Sequence, residues 1–401
     1  MSDYLFDGLK VLDVGSWIAG PVAGTILADY GADVIKIEMP GLGDAYRNLS
    51  ATAIVPDAST NYMWDMDARN KQSLSLNLKT EEGVKVLHRL IEQCDVYITN
   101  QPFPLRERLS LNYEDIKSLN PSMIYASLSA YGEAGPDKDR ESFDLVAYWA
   151  RTGLADLVRD TNAFPAPALP GMGDHPSAIT LYASIVTALL KRERTGEGAM
   201  VHTSLLANGL WSASCIAQAA FVGGDYAQYR ELASKRRFPR TMLETADERY
   251  FIMSMVRTPE EVASLLASLG LSALLQDERF QTAETRFTNN DLFYDALQAR
   301  TLMEPAAHWQ RQFKHHKVPA YLVGRIEEMV DDPQVLVNKM AVASNDPSIG
   351  GHIITHPINI EGMPKKGPEK APSLGEHNAE TLSALGFSAD QLDKWQRNGV
   401  I

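Results

Sequence analysis

One carboxylate in this chain sits where it could do more than solvate. Asp174 lies in LPGMGDHPSAITLYASIVTALLKRERTGEG, residues 169–198, between a Gly/Pro-rich turn and a stretch of helical pattern. Pro176 suits a first helical turn, where its missing N–H costs nothing. Ile179, Tyr182, Ala183, Val186, Leu189 and Leu190 recur at helical spacing. Lys191, Arg192 and Arg194 load the last turn with positive charge, and Gly196 is placed to end the helix. An aspartate at the other end faces free backbone N–H groups and the positive end of the helix dipole, which favour its ionised form. Two readings of Asp174 follow. It is an N-cap contributing about 1 kcal/mol, or it is a nucleophile shown to a substrate. The two roles compete for the same oxygens, so a nucleophile must keep at least one oxygen facing a pocket.

Other chemistries fit less well. His315 and His316 are adjacent and diverge by about 100° on a helix. His352 and His356 fall in a strand-like stretch, which sets them roughly 13 Å apart. No C-x-x-C occurs, so no metal site is expected. A G-x-S-x-G elbow is absent. Gly15 and Gly20 have P-loop spacing, but Pro21 stands where the lysine belongs. Gly15, Gly20 and Gly24 do not make G-x-G-x-x-G, and bulky Trp17 and Ile18 occupy the turn. Glu38 ends the second strand like a ribose-binding acid, which keeps a nicotinamide-dependent oxidoreductase as an alternative. Carboxylate chemistry at Asp174 is the leading candidate.

The elements that must hold Asp174 alternate. Residues 10–14 (KVLDV) read as a strand, 21–30 as a helix and 33–38 as a second strand. This βαβ unit implies a parallel sheet. Residues 40–70 read as a long irregular loop. Strands follow at 71–78, 95–99, 123–130 and 199–203, with helices at 80–93, 111–119, 143–157 and 204–221. Open sheets of this kind bind ligands beyond their strand C-termini, here at Trp17, Met39, Asn100 and Tyr131. Residues 242–256 read as two short strands and 258–312 as mostly helical. PAYLVG, 319–324, reads as a strand returning to the first sheet. A helix at 326–340, a strand-like stretch at 352–360 and two short helices over 373–401 follow.

With 401 residues, 45% hydrophobic and 22% charged, the chain has material for two domains. A net charge of −13 opposes nonspecific nucleic-acid binding. The polar start MSDYLFDGLK and the lack of a ~20-residue apolar run imply a soluble cytoplasmic protein with no membrane segment. Cys94 and Cys215 are the only cysteines and are expected as buried thiols in a reducing compartment. The basic run KRRFPR, with Lys235, Arg236, Arg237 and Arg240, is either a solvated loop or an anion contact.

Several blocks resemble one family in order: LKVLDVGSWIAGPVAGTILADYGADVIKIEMPGLGDAYR, ARNKQSLSLNLKTEEG, DVYITNQPFPLRERL, IYASLSAYGEAGPDKDRESFDLVAY, GMGDHPSAITLYASIVTALLKRERTGEGAMVHTSLL, VPAYLVGRIEEMVDDPQV and APSLGEHNAETLSALGF. Together they are similar to the family III CoA-transferases, a group that includes formyl-CoA transferase, carnitine CoA-transferase and the 2-methylacyl-CoA racemases. The resemblance implies an α/β fold with a Rossmann-like large domain built from both chain ends, residues 1–222 and 317–401. A smaller α+β domain would span 223–316, and two subunits would interlock as a homodimer. It implies Asp174 as the catalytic residue, carrying an aspartyl-CoA thioester while CoA moves between two carboxylic acids. CoA contacts would map onto Trp17, Ile18, Leu76, Asn77, Leu78, Lys79, Asn100, Gln101, Arg108 and Arg140. Lys79, Arg108 and Arg140 could meet the CoA phosphates of an otherwise acidic chain. The nucleophile would need no base, an aspartate being ionised at neutral pH. Gly171 and Gly173 would leave bare N–H groups for an oxyanion.

Departures narrow the activity. Racemase members carry a His before the Asp of the fourth block. Here Phe143 precedes Asp144, which disfavours racemisation but leaves it as an alternative. Tyr148 stands where transferases often have Gln, and Met39 replaces a basic residue of some members. The chain lacks the glycine-rich loop of formyl-CoA transferase, which argues against oxalate/formate exchange. The acceptor could be a short dicarboxylate if the KRRFPR run holds a second carboxylate. A CoA-binding protein without catalysis is a further alternative.

Overall fold

The computed structural model describes residues 4–159, 163–233, 238 and 242–401. It divides into two compact units. The first holds the described residues up to Arg159 together with Ala163–Phe221 and Gln334–Ile401. Its centre is a six-stranded parallel sheet: β1 (Lys10–Asp13), β2 (Asp33–Glu38), β3 (Gln72–Ser75), β4 (Val96–Thr99), β5 (Ile124–Ser129) and β6 (Ala199–Ser204). The order across the sheet is 3-2-1-4-5-6. Strand order therefore reverses between β1 and β4, which opens a crevice at their C-terminal ends.

Both faces of this sheet are covered, so successive residues of the inner strands β1, β4 and β5 are buried on either side. On one face lie α1 (Ala19–Asp29) and α4 (Asp174–Thr195). Every residue of α1 is buried, and its small residues let α4 approach closely. The buried stripe of α4 is Ser177, Ala178, Leu181, Tyr182, Ile185 and Ala188. Of the apolar positions at helical spacing, Tyr182 is buried, Ile179, Val186 and Leu189 are half-buried, and Ala183 and Leu190 are exposed. The helix is rotated so that smaller residues meet α1. On the other face lie α3 (Glu81–Ile91), capped by Thr80, and two C-terminal helices, Asn378–Ala384 and Ala389–Arg397. This C-terminal segment fastens to β3: His377 Nδ1 accepts from the Ser73 N–H (3.2 Å) and Asn378 Oδ1 from that of Ser75 (2.9 Å).

The stretch read as an irregular loop contains structure. Residues Ala45–Ala51 form a 3-10 turn capped by Asp44, and α2 (Tyr62–Ala68) is capped by Asn61. Short polar caps of this kind let brief helices form where periodicity is too short to read. Residues 143–157 are a π-helical turn, Leu145–Ala150, and a short helix, Leu154–Leu157.

The second unit spans Val222–Pro333 among the described residues. A three-stranded antiparallel sheet, β7 (Leu243–Glu244), β8 (Tyr250–Ile252) and β9 (Tyr321–Leu322), packs on helices around Leu265, Phe293 and Trp309. This corrects the reading of 319–324. Its strand pairs with β8 rather than rejoining the parallel sheet, so this unit extends beyond residue 316. Cys94 is buried, but Cys215 is exposed, because it lies on the outer side of a surface helix.

A buried charge network sits at the C-terminal end of β1. Lys71 Nζ meets Asp13 Oδ2 at 2.8 Å, and Lys36 Nζ meets Asp44 Oδ2 at 2.9 Å. Burial pulls Lys36 toward the neutral amine, but Asp13, Asp44 and Glu38 outweigh it and raise its pKa. Removing one member leaves the others buried and unpaired. Lys36→Met is expected to cost about 3–5 kcal/mol of stability, read from urea unfolding. A loss under about 1 kcal/mol, the size of an exposed pair, would refute this weight.

Candidate active site

The turn after β1 is held in an unusual shape. Trp17 has φ +64°, a left-handed conformation that few non-glycine residues adopt. Asp44 accepts from its N–H at 3.0 Å. Asn100, just past β4, accepts from the Ser16 N–H (2.8 Å) and donates to the Ser16 carbonyl (2.7 Å). Lys36 donates to the Gly15 carbonyl. These bonds offset a strain of order 1–3 kcal/mol and turn the indole into the crevice. There it meets Phe143 edge-on, with centroids 5.2 Å apart.

The crevice is a cavity of about 550 Å³. Trp17, Asn100, Gln101, Arg140 and Asp174 all line it, as do Tyr131 and Phe143. The strand-end reading thus brought Trp17, Asn100 and Tyr131 together, while Met39 does not line it. Ile18 is buried behind the wall, near Gly171. Leu76 is in the core, and Asn77 is bonded to the Val400 and Gly399 carbonyls. Leu78 is half-buried, and Lys79 and Arg108 are exposed. None of these lines the cavity.

Sequence reasoning missed Lys138 and Phe103. The Lys138 Nζ lies 4.2 Å from the Phe103 ring centroid, and both line the cavity. Lys138 belongs to the charged loop PDKDRES, which was a usable signal. Arg140 and Arg151 flank the Tyr131 ring at 5.9 and 5.3 Å. The Gln101 Oε1 is buried with no hydrogen-bond partner. Cations, aromatic faces and an orphaned acceptor suit a phosphate-bearing nucleotide such as CoA.

Asp174 does not cap α4. Gly173 takes the cap position, and Asp174 is the first helical residue, with no side-chain cap bond. Its carboxylate is therefore left to the cavity, as a nucleophile requires. The turn before it needs glycine twice. A Cβ on Gly173 would sit 2.6 Å from Tyr148 and 2.9 Å from Asp144, and Gly171 has φ +77°. Asp144 Oδ2 accepts from the Gly173 N–H at 2.9 Å, which pins this turn.

The expectation that Asp174 is fully ionised at neutral pH is corrected. Burial, with the Asp144 charge second and Asp67 adding to it, pushes its carboxyl up to about 7 against the opposing charge of His175. Desolvation outweighs the helix dipole here. Glu38 is also committed. Its carboxylate accepts from Arg47 Nε and Nη2, both at 2.7 Å, from Ser73 Oγ at 2.8 Å and from the Asp44 N–H. That leaves it unavailable to a ribose, against the dinucleotide reading. His356 is buried and lies 3.6 Å from Asp29, apart from His352, which is exposed. No group of three or more metal-ligating side chains occurs among the described residues. Among the described residues no helix is long and apolar enough to cross a membrane. The KRRFPR cations lie outside the described residues.

Comparison with known proteins settles the family. The model of CoA-transferase family III matches residues 6–378. The chain belongs to this family. The transferase is 27% identical over 399 residues to the (R)-2-hydroxy-4-methylpentanoate CoA-transferase of Clostridioides difficile, covering 99% of both chains. It is 29% identical to the human succinyl-CoA:glutarate CoA-transferase, covering 94% of this chain and 85% of that one. A CAIB/BAIF family protein from Brucella suis superposes with a TM-score of 0.82 at 27% identity, over 94% of this chain and 98% of that one.

The raised carboxyl has a consequence for stability. An aspartate that binds its proton more tightly folded than unfolded costs stability as pH rises from about 4 to 7. Asp174→Asn should therefore stabilise the transferase by up to about 4 kcal/mol at pH 8. The gain should shrink toward pH 4, as read from thermal unfolding across pH. Equal melting of both proteins at pH 8 would rule out the raised value.

Proposed function

We propose that this CoA-transferase moves CoA from an acyl-CoA to a carboxylic acid through a covalent intermediate on Asp174. The observation that carries the reading is an uncapped carboxylate in the wall of a cavity with nucleotide-binding features. In the first step an Asp174 oxygen attacks the thioester carbonyl, and the C–S bond breaks. The product is a mixed anhydride on Asp174, with CoA released as its thiolate. The thiolate then takes the Asp174 carbonyl, expelling the donor acid as its carboxylate and leaving an aspartyl-CoA thioester. The acceptor carboxylate attacks this thioester and again frees the thiolate. Attack of the thiolate on the acceptor's carbonyl yields the new acyl-CoA and regenerates Asp174. The expected bare N–H at Gly173 is taken by Asp144 and that of Met172 by the Leu169 carbonyl, so the tetrahedral oxyanions would draw on other donors of the cavity wall.

CoA would lie with its phosphates toward Lys138 and Arg140. Trp17, Asn100 and Gln101 would hold the part nearer Asp174. The family-implied contacts from Ile18, Leu76, Asn77, Leu78, Lys79 and Arg108 are second in line, since none lines the cavity. Named relatives use branched 2-hydroxy acids and dicarboxylates, so we propose both classes, short dicarboxylates included, as acceptors to assay. The interlocked homodimer is carried over from the family resemblance, and the exposed Trp211 (79%) and Val337 (80%) are apolar surface that a second copy would cover. A cytoplasmic site for the reaction is our reading of Cys94 and Cys215, which form no disulfide.

Incubation with an acyl-CoA and then borohydride should convert Asp174 to the reduced residue, and hydroxylamine should give its hydroxamate, both located by peptide mass. Asp174→Ala should lose transfer activity by at least about 10³-fold. Full activity in that variant, with no adduct, would refute the mechanism. Lys138→Ala and Arg140→Ala should each raise KM for acyl-CoA about 5–20-fold with a smaller effect on kcat. Exchange of the α-hydrogen for deuterium without an acceptor acid would instead favour a racemase.

A further inference from the structure

His175, beside Asp174, is committed on both ring nitrogens. Its Nδ1 lies 3.0 Å from the Gly171 carbonyl, which also accepts the His175 backbone N–H. Its Nε2 lies 3.1 Å from Asp67 Oδ1. A carbonyl can only accept, and Asp67 is itself fixed as an acceptor. The Tyr46 hydroxyl donates to its other oxygen at 2.6 Å, and both residues are buried. Two acceptors facing two ring nitrogens are both satisfied only when the ring carries two protons.

We propose that His175 is a positioning residue, held as an imidazolium by Gly171 and Asp67, whose fixed positive charge keeps Asp174 available as the attacking anion. The proposal rests on the reading of Asp174 as nucleophile. The remaining ionisable neighbours explain the need. Asp144 and Asp67 are both acidic and both oppose ionisation of Asp174, and Tyr46 carries no positive charge. Lys71, a buried cation that feels the Asp67 charge, is bonded to Asp13 and the Pro21 carbonyl. Among the described residues, His175 is the charge that opposes the acidic pair. The direction of its own titration agrees: burial works against the charge, but Asp67, the Gly171 carbonyl and Asp174 push the imidazole up to about 9. With 40% of the side-chain surface exposed, the ring remains in exchange with solvent.

Two measurements on the full chain test this. NMR of histidine-labelled protein should show the His175 ring still protonated at pH 8. Its signal is identified by its loss in H175Q or its displacement in D67N. A ring titrating at or below about 6.5, the ordinary histidine value, would overturn the proposal. The second measurement is the pH profile of single-turnover adduct formation at Asp174. In H175Q its acid limb should move up by about one pH unit or more, a tenfold loss of rate on that limb. A rate lowered equally at every pH would mark His175 as merely structural and also overturn the proposal. If the unaltered chain forms no adduct at any pH, the transferase mechanism itself fails, while the ring titration still decides the charge of His175.

Discussion

The site depends on one arrangement of buried charge. Asp13, Lys36, Asp44 and Lys71 lie at the C-terminal end of β1, away from water. Such a cluster is costly to desolvate and contributes stability only while every member is paired. Its value here is geometric. Asp44 and Lys36 spend hydrogen bonds on the backbone of the turn between β1 and α1, and Asn100 closes it from β4. The turn is thereby forced into the shape that points Trp17 into the crevice. The same Asp44 accepts from the Tyr46 N–H, so the segment that carries Tyr46 toward Asp67 is tied to the turn. Strand order, cavity wall and the support of His175 converge on this cluster.

Much of the sheet was legible. Short β-branched and apolar stretches at 10–14, 33–38, 95–99 and 123–130 announce strands, and the βαβ rhythm makes them parallel. The crevice residues Trp17, Asn100 and Tyr131 follow from strand ends alone. Asp174 was legible as a carboxylate at a helix start, and its choice over a cap came from the ordered family blocks. What could not be read depends on partners distant in sequence. Asp67 and His175 are 108 residues apart, and neither is conspicuous by itself. α2 was hidden because seven residues are too few for helical periodicity to stand out. The strand at 321–322 was misassigned for a related reason: an apolar run reveals that it is buried, not which sheet buries it.

Asp174 illustrates how competing local rules are decided by burial. A helix start favours a carboxylate anion, and that rule alone predicts an ordinary aspartate. Desolvation and the nearby Asp144 reverse the outcome. Gly173 connects these effects. Because a side chain there would strike Tyr148 and Asp144, the backbone can pass close enough for Asp144 to grip it. That closeness is also what brings the repelling charge near Asp174.

The C-terminal segment has a consequence for how the molecule forms. Ser73 and His377 are hydrogen-bonded across 304 residues of chain, and the Val400 carbonyl accepts from the Asn77 N–H just past β3. Until those contacts are made, the face of the sheet around Leu74 and Tyr97 has only the part of its cover that α3 supplies. Pairings so distant in sequence form slowly, because the chain must first close a very long loop. During that interval a parallel sheet shows apolar surface to its surroundings, the state in which proteins of this size aggregate. The acidic composition that would seem poorly suited to a phosphate-rich substrate then has a second use. Net negative charge makes unfinished chains repel one another while the last helices find their place.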